Sequence, residues 1–401
     1  MTIETTLQTK IDNADSNTST SELLRLLYSA KEYSVNSIYD SAGVMPATDS
    51  ADIGRIAFAE NNDGMYVFVG LDSGWRLIDS DVAGGGAAAI STALGEVSGY
   101  SLGGTAGPGI VNEIQKFSFT SDGDATDVGD LTSATTATST SASSTHGYAA
   151  GGQTPATPNR VNVIQKTTFA TDANATDVGD ITVARGYGAG NTYSATHGYA
   201  NGGNSPIVPY GNGSNIIDKY AFSTDGNATD VGDLIYPVYR IYGSTGPDHG
   251  YLAGGYQHPA NYYNTIQRYP FASDGNATDI GDTSAPRGSQ TAGSGQSLTD
   301  GYFFGGYDDP YNVSQLTKIE RYPFAATANS TDVGDLDTAI ISTTGHSSTT
   351  HNYSSGGSAP QIPDSYSTVI QKFPTSSTIT TTDVGNLATA GGIQMNGGTQ
   401  Y

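Results

Sequence analysis

The chain has no cysteine among its 401 residues, which excludes disulfide staples, thiolate metal sites and thiol nucleophiles. Positive charge is scarce as well: 16 Lys and Arg stand against 39 Asp and Glu, a formal charge of -23. Phosphate backbones and anionic lipid draw their affinity largely from Lys and Arg, so neither nucleic acid nor membrane insertion is expected. No window approaches 18 consecutive apolar residues, and the opening MTIETTLQTKIDNADSN lacks a basic start followed by an apolar run. The chain therefore reads as soluble and made without a secretion signal. Tryptophan occurs once, at Trp75. What is plentiful is turn chemistry, Gly, Ser, Thr, Asn and Asp, a composition suited to many short strands held by packing and pairing alone.

A double glycine recurs at Gly103, Gly151, Gly202, Gly254, Gly305 and Gly356, and an Asp recurs at Asp127, Asp177, Asp230, Asp279, Asp332 and Asp383. Both landmarks repeat about every 50 residues, the mark of tandem units. Each unit divides into four strand-sized pieces separated by turn residues, as in Gly288 to Gly295, Gly250 to Gly254, Thr265 to Ala272 and Ala277 to Asp282. No piece has helix length, so each unit is an antiparallel meander, and a chain of such sheets closes radially. The expected fold is an all-β propeller over 90–401 with six blades, a seventh built partly by an upstream meander being the alternative. First-strand candidates stand at both ends, Ile90 to Gly95 and Gly392 to Gly398, and a six-bladed ring needs only one.

Ahead of the repeats, residues 1–50 carry a capping-box spacing, Ser19 to Glu22, followed by Leu23, Leu24, Leu26, Leu27, Ala30 and Tyr33, which predicts a short helix. Over 51–82, apolar alternation broken by Asn61-Asn62-Asp63-Gly64 and Asp72-Ser73-Gly74 predicts a three-stranded meander with Trp75 as its core plug. Residues 83–89 form a Gly/Ala linker.

The segments Gly250-Tyr251-Leu252-Ala253-Gly254-Gly255, Ile266-Gln267-Arg268-Tyr269 and Pro286-Arg287 resemble the kelch repeat over residues 90–401. They depart from it at the fourth strand, where kelch units usually carry Trp and these carry Asp-Val-Gly-Asp or a close variant. Together with the prefix Ala51-Asp52-Ile53-Gly54-Arg55-Ile56-Ala57-Phe58, Met65-Tyr66-Val67-Phe68 and Gly74-Trp75-Arg76, the repeats also look like virion proteins, tail-fibre-like, of marine tailed bacteriophages. That resemblance implies a virion location, an N-terminus anchored to other virion subunits and an outward propeller. The copper oxidases that share the kelch propeller use a Cys-linked Tyr, a route closed to a chain without Cys.

Four oxygen ligands recur in the turn Asp122, Asp124, Asp127 and Asp130 and its copies Asp172/Asn174/Asp177/Asp180, Asp225/Asn227/Asp230/Asp233 and Asp274/Asn276/Asp279/Asp282. Hard oxygens suit calcium, yet the spacing is not that of an EF-hand, and the last two units hold Thr327 and Ser377 near the first position. The expected role is turn capping, with no metal and no cofactor. The same turn faintly resembles the Asp-box of sialidase propellers, itself a structural turn. The once-per-unit bases Lys116, Lys166, Lys219, Arg268, Arg321 and Lys372 are expected to be rungs paired with neighbouring Asp, and His146, His197, His249 and His351 to be turn residues on separate blades. Variation concentrates between the second and third strands, and antiparallel order puts those loops on one face, opposite the Asp-rich turns. The candidate ligand-binding residues there are Tyr210, Tyr256, His258, Tyr262, Tyr263, Tyr307, Asp308, Asp309, Tyr311 and Tyr366, a mix suited to sugars or proteins. The expected function is non-enzymatic attachment to a host-surface glycan or protein, or decoration of the particle. A glycan-active enzyme and a purely structural tail or capsid joint are the alternatives, and self-association is left open.

Overall fold

The computed structural model describes residues 94–401 except 108, 157–158, 189, 206–212, 288–292, 310–311, 359–365, 376–378 and 390–391. Ahead of these it describes the backbone of four short strands. Chain contacts divide the protein into two units, residues 1–88 and 89–401. In the first, Ile38–Tyr39 runs parallel to Ile56–Ala59, which pairs antiparallel with Gly64–Phe68, and that in turn with Trp75–Asp79. The helix expected after Ser19 lies outside the described residues.

The second unit is a six-bladed β-propeller. A complete blade is the second, with Ser139–Ala142, His146–Ala150, Val163–Thr168 and Thr176–Asp180 in antiparallel order from the axis outward. In the third blade the innermost strand shrinks to a single bridge, Tyr193 to Gly198. The first blade holds Ser98–Ala106, Gly109–Ser118 and Thr126–Asp130, and its innermost strand is Gly397–Gln400 from the chain's end. Of the two candidate closing strands, the C-terminal one is therefore used. At the other end, Gly95 bridges Ser348 of the sixth blade, and Leu94 belongs to a buried cluster with Tyr251 and Phe324. Six sheets complete the ring, so no seventh blade forms; among the described residues, the upstream strands pair only with one another. Second strands such as His249–Ala253 are buried at nearly every position, on both faces, which explains why their sequences do not alternate.

Four recurring contacts join one blade to the next. The first satisfies a backbone amide two residues past the last position of each Asp-Val-Gly-Asp segment or its variant. It donates to a buried side chain on the third strand of the following blade: Thr132 to Gln165 (2.7 Å), Thr182 to Asp218 (3.0 Å), Ile235 to Gln267 (2.9 Å), Ser284 to Glu320 (3.3 Å), Asp337 to Gln371 (3.1 Å) and, across the closure, Ala388 to Gln115 (2.6 Å). Where this acceptor is an acid, an arginine accompanies it. Arg185 Nη1 lies 2.7 Å from Asp218, and Arg287 Nη2 lies 3.2 Å from Glu320, with all four side chains almost fully buried. The remaining four blades use neutral Gln and carry no such arginine. Burying an acid without a cation would cost several kcal/mol, so acid and arginine occur together or not at all.

The second contact explains the double glycine. Its second N–H donates to the carbonyl of the connector to the next blade, as Gly255 does to Arg287 at 2.8 Å and Gly152 to Arg185 at 2.8 Å. The preceding glycine turns left-handed to deliver it: Gly254 has φ 68°, and a Cβ there would stand 2.8 Å from that same carbonyl oxygen. The third contact is aromatic. The second-strand tyrosine lies against a phenylalanine of the next blade, with ring centroids 4.9 Å apart for Tyr100–Phe169, 4.8 Å for Tyr148–Phe222, 5.2 Å for Tyr199–Phe271, 4.5 Å for Tyr251–Phe324 and 4.5 Å for Tyr353–Phe119. The fourth contact is made by the Asp-rich turns, described below.

His346, on the innermost strand Thr344–Ser347 of the sixth blade, is buried at the closing seam. Its Nδ1 meets the Thr399 carbonyl at 3.2 Å, and its Nε2 meets the Ser355 hydroxyl at 2.9 Å. A carbonyl only accepts, so Nδ1 carries the proton of a neutral ring and Nε2 accepts from Ser355. Burial lowers its pKa to about 4. As pH falls from the unfolded value of about 6.5, the unfolded chain takes up a proton that the folded chain refuses until about pH 4, and stability is lost across that window.

Two outcomes are expected. Arg287→Met should cost about 3–5 kcal/mol in reversible denaturant unfolding by stranding Glu320, while adding Glu320→Gln should recover most of the loss, because four blades already use Gln there. His346→Gln should flatten the decline in stability between pH 6.5 and 4, worth ~3 kcal/mol in the parent and measured by unfolding at stepped pH.

Candidate functional face

The antiparallel order sorts the connections onto two faces. One carries the first-to-second turns and the Asp-rich third-to-fourth turns; the other carries the second-to-third loops and the blade connectors. On the first face most of the acids are already engaged. Asp127 Oδ1 accepts its own turn's Gly129 N–H at 3.2 Å. Asp124 accepts the N–H of Asn386 from the sixth blade at 2.9 Å, the contact that Asn174, Asn227, Asn276 and Asn329 make to Asp130, Asp180, Asp233 and Asp282. Asp122 pairs with Lys372 at 2.5 Å, and the same ion pair recurs as Lys116–Asp172 (3.2 Å), Lys166–Asp225 (2.6 Å) and Lys219–Asp274 (2.7 Å). The rungs thus run between blades. Where the next turn lacks the acid, the base is Arg: Arg321 faces Asp300 of its own blade at 3.9 Å.

Asp122, Asp124, Asp127 and Asp130 consequently do not converge, and among the described residues no three His, Asp or Glu side chains are grouped as a metal site. The histidines begin second strands on separate blades, each with Nδ1 against the preceding residue: Thr145–His146, Thr196–His197 and Thr350–His351 at 2.8 Å, Asp248–His249 at 2.6 Å. Burial, then a nearby lysine, lowers the pKa of His146, His197 and His351.

At the axis the opposite face opens into a small funnel of about 60 Å³, room for a few waters, lined by Thr138, Thr140, Asn191, Ser294, Thr344 and Asn396 among others. Asn191 closes it from below, its Nδ2 donating to the carbonyls of Ser294 (3.2 Å) and Gly345 (3.1 Å) on the fifth and sixth blades. Around the mouth, connector residues link head to tail through backbone bonds: Met395 N to Ser342 O, Ala137 N to Met395 O, Tyr187 N to Ala137 O and Arg240 N to Tyr187 O, at 2.7–2.9 Å. All five have φ between 52° and 60°, left-handed values that non-glycine residues adopt only under constraint. The collar is that constraint.

Tyrosines gather on this face beside the collar. Tyr256–Gln257 and Asn261–Tyr262 form a small hairpin in the fourth blade, with the Tyr256 and Tyr262 rings 4.7 Å apart. Tyr239 lies 5.1 Å from Tyr256 and 6.4 Å from Tyr187, so four half-buried rings run from the hairpin to the collar. Two guanidinium groups meet the last ring: Arg160 lies 5.3 Å and Arg240 5.5 Å from its centroid. Arg160 donates to Asn204 Oδ1 (3.2 Å) and the Asn159 carbonyl (3.1 Å), and its buried Nε has no partner among the described residues. Burial lowers its pKa from the ordinary arginine value.

Of the residues expected to bind ligand, the structure brings Tyr256 and Tyr262 together. Tyr263 instead stacks on Tyr236 at 4.1 Å and hydrogen-bonds Gln257, and His258 stands exposed at the hairpin tip. Tyr307, Asp308 and Asp309 form a short strand paired with Asn312–Gln315 on the fifth blade, and Tyr366 bridges Ser358 on the sixth. Tyr210 and Tyr311 lie outside the described residues. Arg160, Tyr187, Tyr239 and Arg240 were not singled out from the sequence. They were legible only as aromatic and basic residues that break the pattern of their connectors and loops.

No protein-family model matches the chain, and no curated protein matches it.

Because Asp122, Asp124 and Asp127 already have a lysine or backbone-amide partner and the turn acids do not converge, chelation with EDTA should leave the thermal midpoint unchanged, and 1 mM calcium should not raise it. A calcium-dependent rise of several degrees in a melting scan would show that the turns bind metal.

Proposed function

We propose that this chain is a non-enzymatic recognition protein of a virion, tail-fibre-like, whose N-terminal segment binds other virion subunits and whose kelch-like propeller meets a glycan or protein of the host surface. One observation carries the reading: the two faces are built differently. The Asp-rich face repeats nearly the same contacts blade after blade, whereas the opposite face changes from blade to blade and carries half-buried tyrosines and two arginines beside one ring. A rigid repeated scaffold under variable loops is the usual arrangement for recognition. The funnel supports the non-enzymatic reading, since its described lining is hydroxyl, amide and glycine with the apolar Ala137, Ile241 and Met395, and among these no carboxylate stands to act as acid or base.

The test uses full-length protein adsorbed to intact host cells. Replacing residues 257–261 by Gly and Ser should reduce adsorption about tenfold or more, while Lys116→Gln on the opposite face should not. Equal adsorption by parent and loop variant would sink the reading. Deleting residues 1–50 should abolish incorporation into particles and leave the propeller's thermal unfolding in place.

A further inference from the structure

The tyrosine row has a chemical polarity that its position alone does not explain. At the collar end, two guanidinium groups lie within 5.5 Å of the centroid of one phenol ring, in a chain whose charge is -23. Among the described residues Arg160 has amide and carbonyl acceptors only, and its buried Nε has no partner. Two like charges held near one ring repel each other, and an anion bound beside them relieves that repulsion. Away from the arginines, Tyr239, Tyr256 and Tyr262 continue as ring faces. Amide groups border the row: Gln153 accepts from the Tyr187 hydroxyl at 3.0 Å, and Asn204, Gln257 and Asn261 lie beside it.

Resting on the recognition reading above, we propose that Arg160, Tyr187, Arg240, Tyr239, Tyr256 and Tyr262 form one subsite for an acidic saccharide. The arginines take a carboxylate of one sugar, and the tyrosines stack on the C–H faces of the sugars that follow. The guanidinium supplies the planar, paired donors that a carboxylate matches, which an ammonium would not. Tyr and Arg also anchor protein interfaces, but there they sit within a wider, largely apolar patch that becomes fully buried, which this face does not offer. Among the described residues the large hydrophobics that stand exposed are Val97, Ile235, Leu298 and Tyr401, and three of them, Val97, Leu298 and Tyr401, end on the opposite face. The short row of rings also argues against a nucleic acid, whose backbone would meet the acidic surface at every step.

The experiment is calorimetric titration of the full-length protein with short oligouronates of galacturonate, glucuronate and mannuronate. Each is compared with the same oligosaccharide after reduction of its carboxylates to primary alcohols. At least one oligouronate should bind, and its reduced form should bind roughly tenfold more weakly or worse, the scale of one lost charge-assisted contact. Arg160→Gln should lose the acidic ligand, Arg160→Lys should keep part of the affinity, and Lys116→Gln should match the parent; thermal unfolding of each variant establishes that it is folded. Equal binding of acidic and reduced forms, or unchanged binding by Arg160→Gln, would overturn the acidic subsite and leave loop-face recognition standing. Displacement by poly-glutamate at equal charge concentration would overturn it in favour of an acidic protein. Absence of binding by every oligouronate would also overturn it, and the loop variant's cell adsorption then decides the recognition reading separately.

Discussion

Two residues past each Asp-Val-Gly-Asp segment or its variant stands a backbone N–H, and a buried side chain from the next blade accepts it. The bond occurs at all six seams, including the one joining the chain's last residues to its first blade. An unsatisfied amide at such a site would cost about 1–3 kcal/mol, so the third-strand acceptor is as much a part of the fold as the ladder. Gln can accept without charge, which makes it the simplest choice. Asp218 and Glu320 accept equally well but bring a charge inside, and Arg185 and Arg287 follow from that single change. The arginines in turn spend donors on carbonyls of the double-glycine strand, Gly202 for Arg185 and Gly305 for Arg287. One substitution thus reorganises the local polar network without altering the blade.

The seam between the fifth and sixth blades keeps that bond, Asp337 N to Gln371 at 3.1 Å, and differs in its packing. Thr375 stands where the other five units place phenylalanine, and Thr380 stands where the clip residue is Asn or Asp. The Tyr302 hydroxyl still reaches the Thr375 carbonyl at 3.1 Å, as Tyr251 reaches Phe324, so the backbone keeps its place. Lost ring area is made up by Phe304 against Phe373, centroids 5.1 Å apart, with Ile379 packed on the same cluster. The blade is tolerant because its hydrogen bonds fix position while side chains supply area, and the two can be varied independently.

This independence decides what could be read from the sequence. The six units, the four strands in each and the opposition of loops to Asp-rich turns were legible, because periodic residues such as Gly254-Gly255 and Asp279 report a constraint repeated six times. The pairing of Arg287 with Glu320 was not, since it joins residues 33 apart through a swap seen in only two units. The closing strand was ambiguous for a related reason. Ile90 to Gly95 and Gly392 to Gly398 have similar composition, and only the register of Gly397–Gln400 on the first blade separates them. The candidate subsite was half legible. Tyr256 and Tyr262 sit in a loop that visibly varies, whereas Tyr187 and Arg240 sit in connectors whose residues looked like the start of a strand.

The collar explains why those connector residues end up beside the loop hairpin. Each of the five described connectors turns left-handed at one residue, and four of these residues, Met395, Ala137, Tyr187 and Arg240, pass their N–H to the neighbouring connector's carbonyl, which fixes them at the funnel mouth whatever their side chains. Ala137, Ser342 and Met395 occupy such places with little chemistry. Tyr187 and Arg240 occupy adjacent ones, and their collar bond, Arg240 N to Tyr187 O at 2.7 Å, holds the two backbones together. Arg160 and Tyr256 then approach from loops on either side. A strained backbone position normally weakens a fold by ~1–3 kcal/mol, but here the strain is shared by a series of four bonds that ties five described connectors together. Side chains mounted on it therefore lose little further freedom on binding. That pre-organisation is what a weakly attractive surface, made of phenol rings and a guanidinium pair, requires in order to bind a flexible ligand at all.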